Sequence, residues 1–140
     1  LIIEPDPQDE IRYVCNRDAK EDQYFFNPGI SAGVLTRLYL ATGTQKWLRL
    51  AMDYLSFVDE APDYLFASLR AGKVSWAASN LYTVTGLKKY RDITIKVADN
   101  VVDQQTSEGS WESLIGENDA TAEMTYWLDQ IHQSVGADTV

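Results

Sequence analysis

The chain holds one cysteine and one histidine, Cys15 and His132, in 140 residues. An intrachain disulfide is excluded, as are a Cys-x-x-Cys redox pair and zinc sites built from several cysteines and histidines. Basic residues are few. Lys and Arg number 12 against 21 Asp and Glu, a formal net charge of −9. Nucleic acid and anionic membrane surfaces are poor partners for such a chain, because both need clustered Lys and Arg. No apolar run approaches the roughly 20 residues that span a bilayer. Chemistry must therefore rest on carboxylates, tyrosines, lysines or arginines, or else be absent, and no metal or cofactor is implied. Residue 1 is Leu rather than Met, and no charged-then-apolar leader follows it, as expected of a chain processed or cut from something longer.

Hydrophobic residues make up 45% of the chain, which is ordinary for a globular fold. The length suits one core. Residues 1–23 read as an arm or loop. Ile11, Tyr13 and Cys15 alternate with polar residues, so a short strand is expected there, and Pro5 and Pro7 favour extended chain before it. Residues 24–140 read as helical hairpins. Over 30–41, Ile30, Val34, Leu38 and Ala41 recur at helical spacing and predict the packing face of a helix. Pro28 lies where a first-turn proline is tolerated. Residues 45–59 predict a second helix on Trp47, Leu48, Ala51, Leu55 and Val58. Pro62 and Asp63 open a short link. A third helix is expected over 73–85, a fourth over 87–105 on Tyr90, Val97, Ala98 and Val101, and a fifth near 119–134.

An internal repeat underlies this layout. LYLATGTQKW at 38–47 matches LYTVTGLKKY at 81–90 with an offset of 43. Leu38, Tyr39, Thr42, Gly43 and Lys46 pair with Leu81, Tyr82, Thr85, Gly86 and Lys89. Trp47 pairs with Tyr90, and Gly29 with Gly72. The phase extends weakly into the last helix, where Leu128 lies 47 beyond Leu81. Each unit is a helix, a Thr-Gly turn and an antiparallel helix, with the glycine ending the first.

Leu-Tyr-x-x-Thr-Gly followed by Lys and an aromatic, together with Gln105-x-x-x-Gly109-x-Trp111, resembles the α/α-toroid enzymes. These are the terpenoid cyclases, the prenyltransferase subunits and the six-hairpin glycosidases, epimerases and lyases. The Gln-x-x-x-Gly-x-Trp element is similar to the repeated motif of the triterpene cyclases, where Gln and Trp tie an outer helix to the next turn. The resemblance spans residues 28–135. It implies an all-α fold of antiparallel hairpins forming part of an (α/α) toroid. The chain carries no Asp-x-Asp-Asp and no Asp-Asp-x-x-Asp motif. A full toroid needs more hairpins than the two and a half counted here. A missing N-terminal portion, a partner chain or a second copy is thus expected to complete the ring.

In a toroid, alternate helices form the inner barrel, here 30–41, 73–85 and 119–134. Their N-termini should gather at one end, where helix dipoles leave partial positive charge. Tyr24, Asn27, Arg70 and Lys73 fall there, with Glu117, Asn118 and Asp119. On the last helix, Asp119, Glu123, Tyr126 and Gln130 form a polar stripe opposite Met124, Leu128 and Ile131. Asp119 and Glu123, one turn apart, are the candidates for acid–base catalysis. Trp76 is a candidate platform for a sugar or an apolar ring. Arg70 or Lys73 could hold a carboxylate, and Tyr24, Asn27 and Tyr126 complete the expected binding set.

Each candidate also has a plainer role. Asp119, or Asn118, serves as a helix N-cap. Glu123 and Gln130 form a solvated face, Trp76 belongs to the core, and Tyr39 and Tyr82 are packing residues. His132 suits a helix C-terminus, and Cys15 is an inert buried thiol. Three functions follow. The first is a hydrolase, lyase or epimerase acting on a carbohydrate or small natural product. The second is a cyclase or isomerase of an apolar substrate, with aromatics steadying a cation. The third is a helical-repeat interaction module without catalysis.

Overall fold

Two Thr-Gly turns set the architecture, and they are built alike. Gly43 and Gly86 both have φ of 66°, a left-handed conformation that costs other residues about 1–2 kcal/mol. Nothing lies within 4 Å of a Cβ added at either glycine, so conformation rather than space selects it. Each glycine N–H donates to the tyrosine carbonyl four residues back, Tyr39 or Tyr82, at 2.8 Å. The Thr42 hydroxyl donates to the Leu38 carbonyl at 2.7 Å and accepts from the Thr44 N–H at 3.3 Å. Thr85 does the same with Leu81 at 2.6 Å and Leu87 at 3.3 Å. Lys46 lies 5.4 Å from the Trp47 ring centroid and Lys89 4.9 Å from that of Tyr90. The repeated letters thus specify one device, made twice.

The computed structural model describes residues 25–112 and 117–136, excepting the Glu117 side chain. The strand expected around Ile11, Tyr13 and Cys15 lies outside them, as does Tyr24. The described residues are helical, without a strand. The α-helices are α1 (Phe26–Thr42), α2 (Gln45–Leu55), α3 (Gly72–Thr85), α4 (Lys88–Asp103) and α5 (Glu117–Val135). Short 3₁₀ turns from Ser56 to Ala71 carry the chain from the first hairpin to the second. The second helix is therefore shorter than the expected 45–59. No helix among the described residues is long and apolar enough to cross a membrane.

Helix α3 is the centre. It packs against α1 on one side, α5 on the other and α4 behind, while α2 packs on α1. Residues 74–81 are buried without interruption. Helices α1, α3 and α5 run parallel. A Cβ on Gly29 would meet the backbone of Lys73 and Val74 at 2.8–3.0 Å, and one on Gly33 would lie 2.0 Å from the Trp76 ring. Further along the row, Lys73 pairs with Glu123, and Trp76 meets Trp127. Position rises with position in each pair, so the three N-termini lie at one end.

This packing corrects the expected face of α1. Ile30, Val34 and Leu38 are 38%, 49% and 40% exposed, and Ala41 is exposed too. The buried face is Gly29, Ala32, Gly33 and Thr36. Close approach to α3 demands small residues, and that demand outweighs the pull of the larger aliphatics toward the core.

The Gln-x-x-x-Gly-x-Trp element ties the end of α4 to α5. Gln105 Nε2 donates to the Gly109 carbonyl at 2.9 Å, and Gly109 has φ of 84°. The Trp111 indole N–H donates to the Val101 carbonyl at 2.6 Å. Its backbone N–H donates to Thr121 Oγ1 at 3.0 Å.

Candidate functional site

Lys73 joins α1, α3 and α5 near their N-termini. Its ammonium donates to Glu123 Oε1 at 2.8 Å and lies 5.2 Å from the Phe26 ring centroid. A cation over a ring face is attracted by the ring quadrupole. The side chains of Lys73 and Glu123 are 20% and 39% exposed, so water screens the pair only in part.

The paired-carboxylate arrangement meets this geometry only in part. Asp119 is exposed, and Glu123 has an oxygen engaged with Lys73. Helix α5 begins at Glu117, so Asp119 lies within its first turn rather than at an N-cap. Its charge there complements the helix dipole. Among the described residues no group of three or more His, Cys, Asp or Glu could hold a metal ion.

Trp76 is a wedge rather than an open platform. It is 9% exposed. Gly33 lies against its ring, and the Trp127 ring centroid is 4.9 Å away at an interplanar angle of 46°. Tyr126, 52% exposed, stands edge-on to Trp127 at 4.8 Å. Arg70 is half-buried in a 3₁₀ turn, its backbone N–H donating to Ser68 Oγ at 3.2 Å. Asn27 is half-buried in the first turn of α1, where its carbonyl accepts from the Ser31 hydroxyl at 3.1 Å. Trp76, Trp127 and Tyr126 thus form one run of ring contacts, and Lys73 and Glu123 form an ion pair between the same two helices.

Sequence reasoning passed over Phe26, Arg37, Asn80 and Trp127, which lie on the same three helices. Arg37 Nη2 donates to Gln130 Oε1 at 3.2 Å, linking α1 directly to α5. A signal existed. At the offsets of 43 and 47, Arg37, Asn80 and Trp127 occupy the same place in three successive units. Compared with known proteins, the chain matches no family model, no curated protein and no solved structure.

Proposed function

We propose that the chain is a section of an α/α-hairpin array of the toroid kind, acting as an assembly module whose α1 flank receives another hairpin. The observation that carries this is the contrast between the two flanks of the inner row. Ile30, Val34 and Leu38 on α1 are exposed. Their counterparts on α3 at the offset of 43 are Lys73, Ala77 and Leu81, on a helix that α1 adjoins. Ala77 and Leu81 are fully buried. The outer flank of α5 instead shows Asp119, Ala122, Thr125, Tyr126 and Asp129. Repeat arrays end on polar faces and continue through apolar ones. The occupant of the α1 flank is a helical hairpin of the same kind, which a second copy supplies when the chain is alone.

The test is the oligomeric state of the chain and of a Val34→Asp, Leu38→Asp double variant, read by sedimentation and circular dichroism. The chain should self-associate at micromolar concentration, and the variant should be a monomer of unchanged helicity. A parent chain that stays monomeric at high concentration would refute the seam.

A second reading is a pocket enzyme using carboxylate acid–base chemistry on a saccharide or small natural product. The half-exposed Lys73–Glu123 pair, at the end where three helix N-termini gather, favours it. Asp119→Asn and Glu123→Gln should then abolish turnover in the intact assembly. Carbocation chemistry finds less support, because Trp76 presents no bare aromatic wall.

A further inference from the structure

The unequal cover of the two hairpins extends to their second helices. At the offset of 43, Trp47, Leu50 and Tyr54 on α2 are the counterparts of Tyr90, Ile93 and Val97 on α4. On α4, Tyr90 and Val97 are buried and Ile93 packs against the core. What covers them is the end of the first hairpin and the link that follows it. The 3₁₀ turn Asp63–Ala67 packs on α4, and the carboxylates of Asp59 and Asp53 act on the Tyr90 hydroxyl. On α2 the same stripe is open: Trp47 and Leu50 are half-buried and Tyr54 is exposed. The core face of α2 is turned away from it, on Leu48, Ala51, Met52 and Leu55. Trp47, Leu50 and Tyr54 thus continue the stripe of Ile30, Val34 and Leu38 across the hairpin, on the side that in the second unit meets the unit before it.

The far side of the molecule offers no match. Among the described residues, the large apolar side chains exposed there are Val102 and Tyr126, and Asp99, Asp103, Asp119 and Asp129 are exposed on the same two helices. Laying that side on an aliphatic stripe would strip water from carboxylates without giving them partners. A face that matches only itself makes an isologous pair, which closes at two copies. A stable pair buries about 800 Å² on each partner, from roughly 20–30 residues, the scale of a two-helix face rather than of one helix edge. Trp and Tyr are favoured anchors of such faces.

We infer that the seam spans both helices of the first hairpin, and that a second copy covers it with the same face in a closed two-fold pair. This rests on the assembly reading above and adds to it α2 and the symmetry.

Sedimentation equilibrium of the chain over a range of concentrations tests it. The apparent mass should rise and level at two chains. Leu50→Glu with Tyr54→Glu leaves α1 untouched and should raise the dissociation constant at least about tenfold, as for loss of an aromatic anchor, with unchanged circular dichroism. Tyr54→Glu alone, at an exposed position, repeats the measurement should the double variant lose helix. Ala122→Arg on the α5 flank should pair as the parent does. If the α2 variants pair as tightly as the parent while Val34→Asp, Leu38→Asp does not, the seam is confined to α1 and the two-helix face alone is overturned. Growth beyond two chains, or loss of pairing in Ala122→Arg, means head-to-tail contact and overturns the symmetry alone. A parent chain that is monomeric throughout overturns the seam itself, and the two-fold pair with it.

Discussion

The first hairpin, α1–α2, and the second, α3–α4, share a turn down to individual hydrogen bonds, yet their leading helices meet opposite fates. Gly43 and Gly86 have the same φ, and the Thr42 and Thr85 hydroxyls make the same pair of bonds. But α1 leaves Ile30, Val34 and Leu38 exposed, while α3 buries Ala77 and Leu81 completely. The difference is one of neighbours. Helix α3 lies between α1 and α5, whereas α1 has α3 on one side only. A local motif therefore specifies a hairpin, and its place in the row decides how much of it is covered. The residues at the shared interface differ accordingly: Gly33 in the first unit is the counterpart of Trp76 in the second, and the one receives the other.

The strongest way to break the comparison is at that wedge. Trp76→Ala should cost about 3–5 kcal/mol, as for a buried aromatic truncated to a cavity. Gly33→Ala should cost about 1–3 kcal/mol by overpacking, since its Cβ would lie 2.0 Å from the Trp76 ring. Combined, the two should cost less than their sum, because each removes the other's clash or void. Urea denaturation measures all three variants, and strict additivity would show that the wedge is not shared.

The turns provide a smaller and symmetrical test. Gly43→Ala and Gly86→Ala should each cost about 1–2 kcal/mol and by similar amounts, because neither site is crowded. Thermal melts that separate them widely would mean the two turns differ in energy despite their common geometry.

The smallest effect concerns the aromatic after each turn. The Tyr90 hydroxyl is buried without a partner. Its pKa is raised above the usual 10 by burial first, then by Asp59 and Asp53. The folded state then keeps the phenolic proton at a pH where the unfolded chain has lost it. This contribution is fully present below pH 10 and declines as pH rises through the folded-state value. Tyr90→Phe should therefore flatten the alkaline loss of stability above about pH 10. Trp47, its counterpart, cannot titrate, so Trp47→Phe should leave that slope unchanged. Melting curves from pH 8 to 11 read both, and identical slopes for Tyr90→Phe and the parent would refute the linkage.

Much of the fold was legible because its signals are local. Thr-Gly turns, their offset of 43 and apolar residues at helical spacing announce hairpins through backbone conformation and neighbouring side chains. Helices α1, α3 and α5 stand side by side, as the phase of the repeat leads one to expect. The candidate site was legible in fragments. Lys73 and Glu123 were both named, but not as a pair 2.8 Å apart, because nothing local measures the distance between helices. Trp76 read equally as platform or core, and only the Gly33 and Trp127 contacts distinguish the two. The face of α1 was misjudged because hydrophobicity alone favours Ile30, Val34 and Leu38, while close helix contact selects Gly29 and Gly33.

By itself the sequence determined where the chain turns, which stretches are helical and that α1 and α3 are built on one plan. Those properties follow from φ preferences, capping bonds and spacing within a few residues. Tertiary structure alone decided which side of α1 is covered, that Lys73 would join Phe26 to Glu123, and that Arg37 would reach Gln130. These depend on how closely helix axes approach, which is settled by the fit of side chains far apart in the chain.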